Sequence, residues 1–248
     1  MLKRLTIPVL CLLMVTGLLF AGCATQPAVA PEEELEEQEP IVGGQVIAGL
    51  GRDPGEMYGY GAHPPLTRIL EPLIFQDLEL GLKPGLAVNW EPSEDGLTWI
   101  IQLRENVQFH DGSPLNADAV INNLWRIAEM SPGRLGPIEK IEALDELKIK
   151  VTHSEPFAPF LYSLAWAGSA IISPNAVNED GSIEEPIGTG PFARESWTPG
   201  EELVMIRNSN YWGETPKLER VTLKYIPDPS TRAMALEAGE IDMIIDTG

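Results

Sequence analysis

Histidine and cysteine are nearly missing from this chain. Its 248 residues contain three histidines, His63, His110 and His153, and two cysteines, Cys11 and Cys23. No CxxC pair and no Cys/His spacing occurs, which excludes a zinc site and a disulfide framework. Basic residues are scarce too: 17 Lys and Arg face 37 Asp and Glu, a formal net charge of −20. No basic stripe runs through the sequence, so neither nucleic acid nor an anionic lipid surface is an expected partner. Catalytic signatures are also lacking. There is no GxSxG, no HExxH and no GxxxxGK[ST], so hydrolase, metalloprotease and phosphate-cradle chemistry lose their usual carriers. The expectation is a protein that is not an enzyme and needs no cofactor. No internal repeat is present.

What the chain does have begins at its N-terminus. Lys3 and Arg4 precede an almost wholly apolar run from Leu5 to Phe20. That run falls short of the about 20 apolar residues a membrane-spanning helix needs and fits the core of a secretory signal. It ends in Leu19-Phe20-Ala21-Gly22-Cys23, which resembles the lipobox of bacterial lipoproteins, with Phe20 where an aliphatic residue is usual. The resemblance implies removal of residues 1–22 and lipidation of Cys23. Residues 23–44 then read as an acidic Pro/Glu-rich tether, with glutamate at 32, 33, 34, 36, 37 and 39. Dense like charge with little apolar surface keeps such a segment extended.

From residue 45 the pattern turns globular, and 44% apolar residues suffice for a conventional core. Gln45 to Leu50 reads as a buried strand, followed by a Gly-, Pro- and Tyr-rich loop from Gly51 to Pro65. Leu66, Ile69, Leu70 and Leu73 have helical spacing across Leu66 to Phe75, with Pro72 ending or bending the helix. Asp95-Gly96 marks a turn between two strands, the second from Leu97 to Leu103. Asn116 can cap a helix from Ala117 to Glu129 that places Val120, Ile121, Leu124, Trp125 and Ala128 on one face. Ile138 to Thr152 predicts a strand pair turning near Asp145-Glu146. Glu202 to Arg207 and Leu218 to Ile226 are strand-like. Ser230 can cap a helix from Thr231 to Glu237, with Gly239 just past its end and a short buried strand from Ile241 to Ile245. Antiparallel pieces followed by a strand–helix–strand unit predict an α/β, or mixed α+β, protein.

The residues also carry a family resemblance. One block holds Pro84-Gly85-Leu86-Ala87, Trp90, Ser93 to Trp99, Leu103-Arg104, Val107, Phe109-His110-Asp111-Gly112 and Pro114. A second holds Pro186 to Phe192, Trp197, Gly200, Arg207-Asn208, Tyr211-Trp212-Gly213, Pro216, Ile226-Pro227-Asp228 and Thr231-Arg232. In this order and spacing the sequence resembles the peptide/nickel class of ABC-transporter solute-binding proteins, family 5. The resemblance spans nearly all of residues 45–246. It implies a periplasmic-binding-protein type II-like lobe over residues 45–248, with a subdomain inserted at about 66–185. It further implies that the chain stops ahead of a second lobe that closes on the solute.

The same resemblance implies capture of a small solute outside the cytoplasm and delivery to ABC permease and ATPase subunits, by a monomer tied to the membrane through its lipid. Peptide is the first expected ligand; nickel or a metal chelate is the alternative, and a sensory module without transport is an outside one. The loop holding Tyr58, Tyr60 and His63 follows the first strand and faces the cleft in the family, so these three are candidate ligand contacts. His63 would serve as a metal ligand under the nickel reading. Trp166 and Ser169 belong to a second segment that approaches the pocket in the family. Packing of the tyrosines beneath their loop, and of Trp166 in the core, remain open alternatives.

Two motifs invite a catalytic reading that their residues do not support. His110 and Asp111 are adjacent on an extended piece and point to opposite faces, so they predict a turn before the helix and not a dyad. Gly188-Thr189-Gly190 is followed by Pro191, where a phosphate-binding helix would need free amides. It reads as a tight crossover between subdomains.

Overall fold

A computed structural model describes residues 43–53, 68–77, 79, 81–178, 183 and 185–245. Two main sheets organise them, and the fold is mixed α/β, as expected. The first sheet has the order β11-β1-β10-β9-β8. Its strands are β1 (Gln45–Leu50), β8 (Phe192–Thr198), β9 (Glu202–Arg207), β10 (Arg220–Tyr225) and β11 (Met243–Ile245). β1 runs parallel to both β10 and β11, whereas β10, β9 and β8 form an antiparallel meander. The second sheet, β4-β5-β7-β6, is antiparallel throughout. It comprises β4 (Ala87–Pro92), β5 (Thr98–Leu103), β6 (Ile138–Asp145) and β7 (Lys148–His153). A small hairpin, β2 (Ile74–Asp77) with β3 (Gly81–Pro84), stands beside it. All of this second material lies in sequence between β1 and β8.

Local chemistry sets these elements. The β4–β5 hairpin closes on Asp95, whose Oδ1 accepts from the Ser93 hydroxyl at 2.6 Å and from the Leu97 amide at 3.0 Å. Gly96 supplies the positive φ of +69° that this turn requires. Helix α1 (Ala117–Met130) begins where Asn116 Oδ1 accepts from the Ala119 amide at 2.9 Å. Its buried face carries Val120, Asn123, Leu124 and Ile127. The face expected from spacing included Trp125, which is instead 37% exposed, and omitted Asn123. The helix is rolled toward Asn123 because that side chain is fully engaged below, as the next subsection describes. In β7, Ile149, Val151 and His153 alternate inward. His153 is buried, its Nε2 lies 2.9 Å from the Leu135 carbonyl, and its ring meets Phe160 edge-on.

Each sheet has its own apolar core. Leu86, Ile101, Leu103, Val120, Leu124, Ile149 and Phe160 belong to one, around the second sheet, α1 and α2 (Phe160–Ala165). Ala48, Leu50, Leu203, Met205 and Leu223 belong to the other, around the first sheet. Fully burying each Val, Leu, Ile, Phe or Met side chain among them contributes roughly 1.5–3 kcal/mol, which makes these cores the main support of a fold without disulfides among its described residues.

Three expectations fail here. Residues 68–77 form no α-helix: Ile69 through Ile74 are buried without interruption, and the segment turns into strand β2. An amphipathic helix would leave one face in water, but this run passes between two cores and turns no face to solvent. Helix α3 (Pro229–Glu237) is capped by Asp228 and not Ser230, because Asp228 Oδ1 accepts from the Thr231 amide at 2.7 Å and leaves Pro229 at the first helical position. Gly239 does end that helix with φ of +73°. Finally, β11 is an edge strand with Met243 exposed, and the buried residue of that stretch is Ile241.

Candidate functional site

Three chain segments cross between the two sheets side by side. The Ile171 amide donates to the Glu71 carbonyl at 2.9 Å, the Ser173 amide to Ile187 O at 2.8 Å, and the Gly190 amide to Ile69 O at 3.0 Å. Residues 69–73, 170–173 and 187–190 thus form a hydrogen-bonded seam. Glycine is required on the third of them. A Cβ on Gly188 would lie 2.2 Å from Ile69 O, and one on Gly190 would lie 2.4 Å from Arg68 O. Gly188-Thr189-Gly190 is therefore the tight crossover that its sequence predicts.

Side chains lock the seam. The Glu71 carboxylate is 1% exposed and accepts from Tyr211 Oη at 2.7 Å, Trp212 Nε1 at 2.7 Å and Thr189 Oγ1 at 2.8 Å. Desolvation pushes its pKa above the ordinary glutamate range, against the pull of these three donors and of Arg104. The Arg104 guanidinium lies 4.1 Å over the Trp212 ring. Burial, reinforced by the bond to Glu71, pushes the Tyr211 hydroxyl well up.

His110 and Asp111 sit in a turn, closed by the Gly112 amide on Phe109 O at 2.9 Å, and go to different partners. His110 Nε2 donates to Gly190 O at 3.0 Å while Nδ1 accepts from the Gly188 amide at 3.4 Å, an arrangement that fits the neutral ring. Burial pushes its pKa down accordingly. Asp111 accepts from the Ser113 hydroxyl at 2.6 Å, Ser173 Oγ at 2.6 Å and Asn175 Nδ2 at 3.1 Å. Partial burial pushes its pKa up, but the hydrogen bonds outweigh that and hold it at about 2. A carboxylate depressed in the folded state stabilises the fold above its unfolded pKa and loses that contribution as pH falls through the folded value. The Asp111→Asn variant is therefore expected to be less stable at neutral pH. It is also expected to show a flatter acid limb between the ordinary value of 3.8 and about 2, in denaturant unfolding followed against pH.

Asn123 fastens α1 to the seam. Its Nδ2 donates to Ile172 O at 2.7 Å and to Ala119 O at 2.9 Å, and its Oδ1 accepts from the Ile172 amide at 3.1 Å. Asn123→Leu keeps the volume but strands a buried amide and carbonyl, each costing about 1–3 kcal/mol. A loss of roughly 2–6 kcal/mol in urea unfolding is the expected outcome.

The seam leads directly into the Trp166–Ser169 turn, where α2 ends. Trp166 is half-buried, and the Arg134 guanidinium lies 3.9 Å from its ring centroid. Gly168 sits so close beneath the indole that a Cβ there would fall 2.1 Å from a ring carbon. Ser169 is 1% exposed, and its hydroxyl has no hydrogen-bond partner among the described residues. A buried orphan hydroxyl is costly and marks a place where a polar group can be received. Of the residues singled out from sequence, Trp166 and Ser169 share this one turn, in which the Ser169 amide donates to Trp166 O at 2.8 Å. Tyr58, Tyr60, His63 and Cys23 lie outside the described residues. Among the described residues no group of three His, Cys, Asp or Glu side chains is placed to hold a metal ion. Arg134 escaped sequence reasoning, since its contact with Trp166 joins distant positions. Glu71 had one signal available, a lone carboxylate within an apolar run.

Residues 81–248 match the bacterial extracellular solute-binding proteins, family 5. The chain is 37% identical over 171 residues to a probable D,D-dipeptide-binding periplasmic protein of Escherichia coli, covering 64% of this chain and 33% of that protein. It is 34% identical over 187 residues to the nickel-binding periplasmic protein of Escherichia coli, covering 72% and 36%. Among solved structures it resembles NikA of Brucella suis in complex with Fe(III)-EDTA, with a TM-score of 0.73 and 31% identity, over 80% of this chain and 42% of that one. It also resembles DppA of Helicobacter pylori in complex with a peptide, with a TM-score of 0.69 and 28% identity, over 81% and 46%. This chain belongs to the family 5 solute-binding proteins. It spans about a third of the length of the first two relatives. The binding-protein-like lobe implied by sequence agrees with these neighbours, and the relatives are periplasmic.

Proposed function

We propose that this chain supplies one wall of an extracytoplasmic solute-binding protein of an ABC importer, which captures short peptides and hands them to a membrane permease. The observation that carries the reading is the Trp166–Ser169 turn: a guanidinium lies over an aromatic face, and the same turn holds a buried hydroxyl without a partner among the described residues. Such a mixture suits a zwitterionic solute, with its carboxylate toward Arg134 and a backbone group toward Ser169. Tyr58, Tyr60 and His63 complete the wall in this reading, and Cys23 carries the lipid that holds the protein at the cell envelope. The protein works as a monomer, without catalytic chemistry of its own.

Nickel or a metal chelate is the second reading, favoured by the nickel-binding relative and by His63 as a donor. Calorimetric titration of a full-length version with dipeptides and with nickel chelates separates the two. Peptide binding that weakens about tenfold or more, the equivalent of 1.4 kcal/mol, in Trp166→Ala and Ser169→Ala is expected. Affinity for the chelate alone would favour the metal reading, and peptide affinity untouched by both variants would remove these residues from the wall.

A further inference from the structure

A second recess lies away from the Trp166 turn, beside Arg126 on the outward shoulder of α1. Six salt bridges join described residues of this strongly acidic chain, and Arg126 takes part in none. Its Nη2 donates to Asn123 Oδ1 at 3.2 Å and its Nη1 rests 3.3 Å from Met130 Sδ. Its Nε is buried without a hydrogen-bond partner among the described residues. Neither a neutral amide nor a thioether compensates a guanidinium withdrawn from water. Burial accordingly pushes its pKa down, with no carboxylate opposing the shift.

The recess has a volume of about 230 Å³ and is lined by Asn122, Asn123, Arg126, Pro174 and Val177. No carboxylate stands among those residues. The Asn123 amide is committed to the seam, whereas the side chain of Asn122 has no partner among the described residues. Pro174 and Val177 make the opposite wall apolar and limit what can enter. The volume is below the usual range of pockets for drug-sized ligands, about 300–1,000 Å³.

We propose that this recess is a binding site for a small oxyanion, a free carboxylate or inorganic phosphate, held by Arg126 with Asn122 as a second donor. A planar guanidinium with free N–H groups matches either ion, and the anion supplies the charge that no described lining residue provides. This site is independent of solute capture at the Trp166 turn.

Thermal unfolding of the full chain tests it. Sodium acetate, and in a parallel arm sodium phosphate, replaces sodium chloride at constant ionic strength. A saturable rise in Tm is expected for the wild type with at least one of the two anions, and the arm that responds identifies the preferred one. Arg126→Gln is expected to abolish the rise. Because that variant can fail for lack of a fold, Asn122→Asp provides a second reading: it keeps the guanidinium and places a carboxylate at the rim. Its half-saturation is expected about tenfold higher or more. No saturable rise in the wild type, an equal rise in Arg126→Gln, or an undiminished one in Asn122→Asp overturns the proposal.

Discussion

Replacing Glu71 with alanine is expected to remove roughly 3–9 kcal/mol of stability, at about 1–3 kcal/mol for each buried donor left without a partner. Three donors converge on this carboxylate, from Tyr211, Trp212 and Thr189, and truncation orphans all three at once. Since domains are held by only about 5–15 kcal/mol, the variant should unfold at a much lower urea midpoint or fail to accumulate. Glu71→Gln should behave differently. An amide oxygen can still accept from Trp212 and Thr189, and the Tyr211 hydroxyl can turn to accept from the new amide, so the cost falls to about 1 kcal/mol. The pH dependence separates the two chemistries. Desolvation raises the pKa of Glu71 in the fold, so its protonated form is the one favoured by folding. That contribution is present below the unfolded value of 4.5 and is lost as pH rises through the higher folded one. Wild-type stability should therefore decline over that interval relative to Glu71→Gln, in which the position does not titrate.

A single methyl group at position 190 should be as damaging as loss of the carboxylate. The new Cβ would stand 2.4 Å from Arg68 O and 2.8 Å from two further backbone carbons. No flexible side chain is available to move, so the crossover must separate, and the bond from the Gly190 amide to Ile69 O lengthens with it. The expected cost of Gly190→Ala is about 3 kcal/mol or more, with loss of the bonds from His110 Nε2 and Asn208 Nδ2 to Gly190 O. Gly112→Ala makes the comparison informative. That glycine adopts φ of +82° in open space, so its substitution strains only the local turn and should cost about 1 kcal/mol. Urea unfolding of the two variants in parallel checks the difference.

The elements legible in the sequence are those governed by their own neighbours. Strands β1 and β9 fall where short apolar runs place them, and the Asp95-Gly96 turn and the Asn116 cap depend on side chains one to three residues away. The failures cluster where a distant segment decides. Leu66 to Phe75 has helical spacing, yet residues 69–74 are buried without interruption between the two cores and form no helix. Trp125 has the character of a core residue, but Asn123 must face Ile172, and the rotation of α1 follows from that bond. At the candidate site, Trp166 and Ser169 were visible through resemblance alone. Arg134 and Glu71 draw their meaning from partners 32 and 141 positions away, Trp166 and Trp212. No local pattern encodes such pairings.

Native mass spectrometry tests whether the complete protein captures a peptide-like solute. A full-length version would be purified without denaturation and then compared with the same protein after unfolding and refolding. An added mass of short peptides is expected on the native protein, absent after refolding and restored by added dipeptide. Stoichiometric nickel in place of peptide would transfer the protein to the metal reading. A native protein that carries no solute and takes up neither peptide nor chelate would contradict solute capture itself.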